Sequence, residues 1–285
     1  MILVTGATGN VGQEIVRRLR DRGAPLRAFV RDLDTARRRL GDGLDLATGD
    51  FSDQASVRRA MDGIEQVLLS VPNSPRQVEY EVNVIDAAAA AGVRRIVKLS
   101  TVGAEVGSRL AFWDWHARSE HHLRASRVPA VILRSNFYMS NLFGFADQFR
   151  RDGRLYAPAA RARVAMIDPQ DTGAVAAAVL TGGAHDGQTY LLTGPEAITF
   201  EDVASGLSAA TGRQVEFVNV PDDAARASAL AAGMPDWLAE NLVIVFVMLR
   251  EGAAEQRTDT VERLIGRQPR TFAEFARDHA QAFGG

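Results

Sequence analysis

The stretch Met1-Ile-Leu-Val-Thr-Gly-Ala-Thr-Gly-Asn-Val-Gly12 decides the fold. Ile2, Leu3 and Val4 form an apolar run with strand character. Gly6, Gly9 and Gly12 follow at even spacing, and Gln13 to Arg20 then reads as a helix with Ile15, Val16 and Leu19 on one face. A strand that turns through glycines into a helix sets the positive end of that helix against a pyrophosphate. A side chain at Gly6 or Gly9 would stand where phosphates approach, and Gly12 lets the helix pack close to the strand. Thr5 and Thr8 offer hydroxyls beside the turn. The stretch therefore predicts a dinucleotide site. The competing reading is a glycine turn that only ends a strand, and the register directly between strand and helix argues against it.

Moving outward, apolar strands alternate with helices through the first half. Strands are expected at Leu26 to Val30, Asp45 to Asp50, Gln66 to Val71, Arg95 to Ser100 and Ala130 to Arg134. Helices are expected at Ala55 to Asp62 (capped by Ser52), Val78 to Ala91 and Arg118 to Ala125. Such alternation specifies an α/β fold, a doubly wound parallel Rossmann sheet with helices on both faces. Beyond Asn136 the pattern loosens. Helices are expected at Phe137 to Gly153, Thr199 to Thr211 and Pro235 to Leu249. Short strands are expected at Val164 to Ile167, Thr189 to Leu192 and Val215 to Val218, with Ala157 to Arg163 a loop. This gives a dinucleotide-binding domain over 1–135 and a smaller C-terminal α/β substrate lobe over 136–285, with parts of 160–195 returning to the main sheet.

Composition excludes several classes. The chain has 285 residues and a net charge of −2, which suggests neither a nucleic-acid nor a membrane surface. It has no cysteine, so disulfides, thiolate catalysis and zinc–thiolate sites are ruled out. The longest apolar run, Leu242 to Leu249, is too short to span a bilayer. The chain opens directly into a core strand, and a cytoplasmic protein is the expectation. Lys98 is the sole lysine. It either reaches the cofactor or snorkels out of its strand.

At the end of the second strand an acidic residue would bond the 2′-hydroxyl of NAD, whereas an arginine would grip the 2′-phosphate of NADP with its two-pronged fork. Arg31 holds that place, followed by Asp32, with Arg37, Arg38 and Arg39 close behind. NADP(H) is favoured over NAD(H). Asp32 turning inward would reverse that, and the arginines also read as a solvated helix face. Asp50 is placed to accept from the adenine amino group, with Phe51 beside the ring, or else simply ends its strand. Leu69, Ser70 and Val71 end the fourth strand, where their backbone lines the path from pyrophosphate to ribose.

The chain resembles the NmrA-like atypical short-chain dehydrogenase/reductases, and within them the NAD(P)H:quinone oxidoreductase type 2 and triphenylmethane reductase group. The resemblance is carried by Val4 to Gly12, Val30-Arg31-Asp32, Gly49-Asp50-Phe51, Asn83 to Val93, Leu133 to Asn141 and Tyr190 to Gly194. Most specifically it is carried by the His116-Ala-Arg-Ser-Glu-His-His-Leu123 block. It implies NADPH in the cleft, held by Gly6, Thr8, Gly9, Asn10, Val11, Gly12 and Arg31. It also implies either reduction of quinones or dyes, or dinucleotide sensing without turnover.

Ordinary members of the superfamily use Tyr-x-x-x-Lys after a catalytic serine or threonine. None of Tyr80, Tyr138, Tyr156 and Tyr190 is followed by lysine four residues on, and His116 to Glu120 stands in the equivalent place. Reducing a plain ketone makes an alkoxide that needs a strong proton donor. Reducing a quinone makes a phenolate-like anion of pKa about 10, which does not. The expected substrate is a quinone or similar conjugated aromatic molecule, with a natural-product tailoring reductase differing only in acceptor. His116 is the expected proton donor, against a surface histidine. Glu120 is expected to orient His116 or a ribose hydroxyl, against a solvated carboxylate. Ser100 stands where the superfamily's serine falls. Trp113, Trp115, Phe137 and Tyr138 line the substrate side, or pack in the core. No ligand set for a metal is present, since His121 and His122 point to different faces. The Pro235 to Leu249 helix reads as buried core or a homodimer contact.

Overall fold

Parallel pairing arranges the apolar runs of the first half into one sheet. The computed structural model describes all residues, Met1–Gly285. Its strands β1 (Ile2–Val4), β2 (Leu26–Val30), β3 (Asp45–Thr48), β4 (Gln66–Leu69), β5 (Arg95–Thr101) and β6 (Ala130–Ser135) lie in that sheet. β7 (Arg154–Ala157) leaves it, β8 (Thr189–Leu192) returns as its last strand, and β9 (Glu216–Asn219) pairs with β7 in a separate ribbon. The strand order β3-β2-β1-β4-β5-β6-β8 is doubly wound and reverses between β1 and β4. A crevice opens beyond the carboxyl ends of strands at such a switch point.

Twelve α-helices follow in chain order. They are α1 (Asn10–Asp21), α2 (Leu33–Leu40), α3 (Gln54–Ala60), α4 (Gln77–Ala90), α5 (Ala111–Ala125), α6 (Ala146–Asp152), α7 (Pro169–Thr181), α8 (Phe200–Thr211), α9 (Asp222–Ala231), α10 (Asp236–Arg250), α11 (Thr260–Ile265) and α12 (Phe272–Asp278). Strand alternation sorts the core. Val97, Leu99 and Leu133 face Ile15, Val16 and Leu19 of α1 and Val175 and Val179 of α7. Ile96 and Leu69 face the other way, toward Val84 and Ile85 of α4 and Leu123 of α5. Lys98 and Ser100 share the Ile96 side of β5 and so point at α4 and α5. A separate core around Phe149, Phe200, Phe246 and Phe275 holds the second half together. No helix is long and apolar enough to cross a membrane.

Several elements differ from the sequence reading. α5 begins at Ala111, not Arg118, which puts Trp113, Trp115 and His116 on a helix. α3 is capped by Asp53, whose carboxylate accepts from the Ala55 amide, not by Ser52. The expected helix at Phe137 to Gly153 splits into a 3-10 turn, Met139–Phe145, followed by α6. The Asn136 side chain holds the Ala254 carbonyl and the Phe137 amide, and the Met139 amide bonds the Ile167 carbonyl, so the chain cannot coil there. Val164 to Ile167 makes isolated bridges instead of a strand, because its partners are single residues, Ile198 and Tyr138. α7 has no counterpart in the sequence reading. Asp168 caps it and Pro169 opens it. A Cβ on its Gly173 would lie 2.7 Å from Glu14 Cβ, so glycine permits the close packing of α7 on α1.

Candidate active site

The turn between β1 and α1 is built from backbone. Gly6 has φ +63°, a conformation that costs other residues strain. A Cβ there would sit 2.8 Å from the Ser70 carbonyl oxygen. A Cβ on Gly12 would sit 2.0 Å from the Gly6 oxygen, whereas Gly9 is less confined, at 3.3 Å from the same atom. Gly6 and Gly12 are therefore demanded by the turn's own closure, a tighter constraint than phosphate access. Thr5 does not offer its hydroxyl outward. It is fully buried and ties β1 to β4, with Oγ1 donating toward the Leu68 and Ser70 carbonyls and accepting from the Ser70 amide at 2.8 Å. Gly9 caps α1 without a side-chain bond, and α1 has no acidic residue in its first turn. The amides of Asn10, Val11 and Gly12 consequently have no partner inside the chain. Free amides at a helix N-terminus are the donor set a pyrophosphate needs, so the residues present fit a dinucleotide.

On the adenosine side, Asp32 does not turn inward. It caps α2, accepting from the Thr35 amide at 2.7 Å, and hydrogen bonds from the Thr35 side chain first and then that amide hold its pKa below the usual carboxylate range. Arg31 is exposed at the end of β2. Arg39 reaches back to the Thr8 carbonyl at 2.8 Å and braces the turn. Asp50 accepts the Ser52 hydroxyl at 2.5 Å and amide at 2.8 Å, which lowers its pKa. Phe51 lies in the core, 5.3 Å from the ring of Phe29 and 6.0 Å from that of Tyr80. Leu69 and Val71 are also buried, leaving Ser70 as the half-buried side chain of that segment.

Side chains from α4 and β5 converge on His116 of α5. Lys98 neither snorkels nor reaches outward. It is fully buried, with Nζ 2.7 Å from Glu81 Oε1, itself fully buried on α4, and 3.2 Å from His116 Nδ1. Gln77, at the start of α4, brings its amide nitrogen within 3.2 Å of the same Nδ1. Burial first, then the cations Lys98 and Arg134, push the His116 pKa well below the ordinary histidine value. That direction favours an uncharged imidazole over an imidazolium acid at neutral pH. The sequence reading missed Glu81 and Gln77; a lone carboxylate and a glutamine on an alanine-rich helix carry no motif.

Glu120 and Ser100 pair with each other. Glu120 is fully buried and does not touch His116. It accepts from Ser100 Oγ at 2.6 Å, from Arg134 at 2.7 and 3.0 Å and from Arg124 at 3.1 Å. Burial opposes its charge, but the Arg134 and Ser100 bonds outweigh that and lower its pKa. The pair therefore locks α5 to the sheet. Thr101, next on β5, alternates to the opposite face and is half-buried.

The expected substrate residues separate. Trp113 lies on the backbone beyond β5, where a Cβ on Gly103 would meet its ring at 2.4 Å. Trp115 joins Phe112 (5.7 Å) and, across to α10, Trp237 (5.9 Å). Phe137 packs on the second core. Tyr138 packs on the first, its hydroxyl held by Ser135 and Thr172 and its pKa raised by burial.

Relatives match the chain from end to end. The chain is 40% identical to the (4-alkanoyl-5-oxo-2,5-dihydrofuran-3-yl)methyl phosphate reductase of Streptomyces griseus, covering 99% of each chain. It is 35% identical to the NAD(P)H azoreductase of Xenophilus azovorans, covering 100% of this chain and 99% of the relative. The NADPH-dependent quinone oxidoreductase of Escherichia coli, solved in complex with NADPH, superposes with a TM-score of 0.89 at 30% identity, over 98% of this chain and 99% of that one. Residues 1–276 match the NmrA-like family, and the chain belongs to that family.

Proposed function

We propose that the chain is an NADPH-dependent reductase of electron-poor conjugated acceptors, quinones and related aromatics foremost. The observation that carries this is the set of free amides of Asn10, Val11 and Gly12 at the uncapped start of α1, beside the sheet's switch point. Those amides and Gly6, Thr8 and Gly9 hold the pyrophosphate. Arg31, with Asp32 occupied as a cap, binds the 2′-phosphate that distinguishes NADPH. Bound there, the nicotinamide supplies hydride.

The acceptor side explains the substrate class. Neither a Tyr-x-x-x-Lys pair nor a charged imidazole is present to protonate an alkoxide. A delocalised oxyanion needs less, since its conjugate acid is about as acidic as tyrosine. Trp113, beyond β5, and His116 bound the space where such a ring would lie, and alignment is the main service the protein renders. The 40% identical relative is named as the reductase of an unsaturated lactone, a non-aromatic acceptor whose conjugate reduction also leaves a delocalised oxyanion, and this favours such lactones as a second acceptor class. The test is NADPH oxidation at 340 nm against a panel of a benzoquinone, an azo dye, an unsaturated lactone and a saturated ketone. Turnover with at least one conjugated acceptor and none with the ketone is expected. Turnover with the ketone alone, or with nothing while NADPH binds, overturns the reading.

A further inference from the structure

The sole lysine of the chain is wholly interior, and its position does more than balance a charge. A buried ion pair such as Glu81–Lys98 rarely stabilises a fold more than apolar residues of the same size would, because both charges must be stripped of water. The pair has a second contact that an apolar pair would lack. An ammonium group donates and never accepts. With Lys98 Nζ 3.2 Å from His116 Nδ1, Nδ1 must carry the lone pair and the ring proton must sit on Nε2. Glu81 Oε1 accepts from Nζ at 2.7 Å. Gln77 Nε2 stands 3.4 Å from His116 Nε2, and its own Oε1 is buried without a partner, as is Glu81 Oε2. Turning the Gln77 amide would let that oxygen receive the Nε2 proton at rest.

We propose that Glu81 and Lys98 are positioning residues that lock His116 as the neutral Nε2–H tautomer, so that this N–H stabilises the oxyanion left on a conjugated acceptor by hydride transfer. The proposal rests on the reductase reading above. Hydride carries its electron pair from the reduced nicotinamide to the acceptor, whose conjugated pair moves onto oxygen. His116 hydrogen-bonds that oxygen and keeps its own proton, and water protonates the anion after release. The charged groups facing His116 are Lys98 from β5, Glu81 from α4 and Arg134 from β6. Glu120, on its own helix, is matched by Arg134.

The test is 15N NMR of the full-length protein labelled at histidine, with His116→Asn assigning the signal, alongside the pH profile of kcat for NADPH and benzoquinone. Across about pH 5.5 to 8, where a free histidine titrates, wild-type His116 is expected to stay neutral and Nε2-protonated, and kcat to show no histidine step. Lys98→Met leaves the Glu81 carboxylate unmatched beside the ring. His116 then becomes an imidazolium, a titration step enters that window, and kcat falls roughly tenfold. Because a lone buried carboxylate threatens folding, Lys98→Met/Glu81→Leu is the paired variant. It carries no unmatched charge, loses the fixed tautomer, and is expected to keep the loss in kcat without the new step. A wild-type His116 that titrates near 6.5 or carries its proton on Nδ1 overturns the proposal, as does a double variant with wild-type kcat. The NMR arm needs no turnover, so failure of the reductase reading remains a separate result.

Discussion

The glycine turn and the His116 cluster lie at the same end of the sheet and are made from different materials. The turn is backbone: free amides at α1, a positive φ at Gly6, and clearances so small that an added methyl on Gly12 would fall 2.0 Å from a carbonyl oxygen. The cluster is side chains: Gln77, Glu81, Lys98 and His116, drawn from two helices and a strand and sealed from water apart from His116 itself. The first tolerates almost no substitution because its shape is its function. The second owes its behaviour to charge, and charge can be altered while shape is kept.

That contrast can be broken at either end. The largest effect is expected from Gly12→Ala. The turn must open to relieve the clash, and NADPH affinity by calorimetry should fall by about a hundredfold or more, near 2.7 kcal/mol. An unchanged affinity would mean the turn is not the binding element. Next, His116→Ala should lower kcat by on the order of a hundredfold, the usual cost of losing one oxyanion donor, with NADPH affinity retained. Arg31→Ala should weaken NADPH about tenfold and leave NADH unchanged, reflecting one charge-assisted contact. Equal losses for both dinucleotides would remove Arg31 from the 2′-phosphate. Ser100→Ala should barely alter turnover while costing about 1–2 kcal/mol in denaturant unfolding, because a buried bond to Glu120 is lost. A large fall in kcat would restore Ser100 to the chemistry. The smallest effect is in pH dependence. His116 is held neutral in the fold but has an ordinary value unfolded, so the unfolded chain takes up its proton more readily below about pH 6.5. Stability should decline as pH falls through that value, and His116→Gln should remove this upper part of the decline.

The same contrast explains what could be read from the sequence. Gly6, Gly9 and Gly12 sit within one βαβ start, so their meaning is local and their spacing was enough. The parallel sheet was legible because buried strands are continuous apolar runs. His116 was visible as a residue, but its protonation was not. That depends on Lys98 and Glu81, 18 and 35 positions away along the chain, which only the packing of α4 and α5 on β5 brings together. Asp32 was ambiguous until the α2 cap occupied it. α7 was missed because an alanine-rich helix buried on all sides shows no polar face.

The central claim is that dinucleotide held at the glycine turn passes hydride directly to an acceptor beside His116. The most direct measurement is stopped-flow oxidation of NADPH at 340 nm by benzoquinone, with each C4 position of the nicotinamide deuterated in turn. The account predicts a rapid single turnover that slows about two- to fivefold for one deuterated face and not for the other, because hydride transfer limits the step and the bound ring is aimed one way. NADPH that binds but is not oxidised, or is oxidised with no isotope effect at either face, would contradict it.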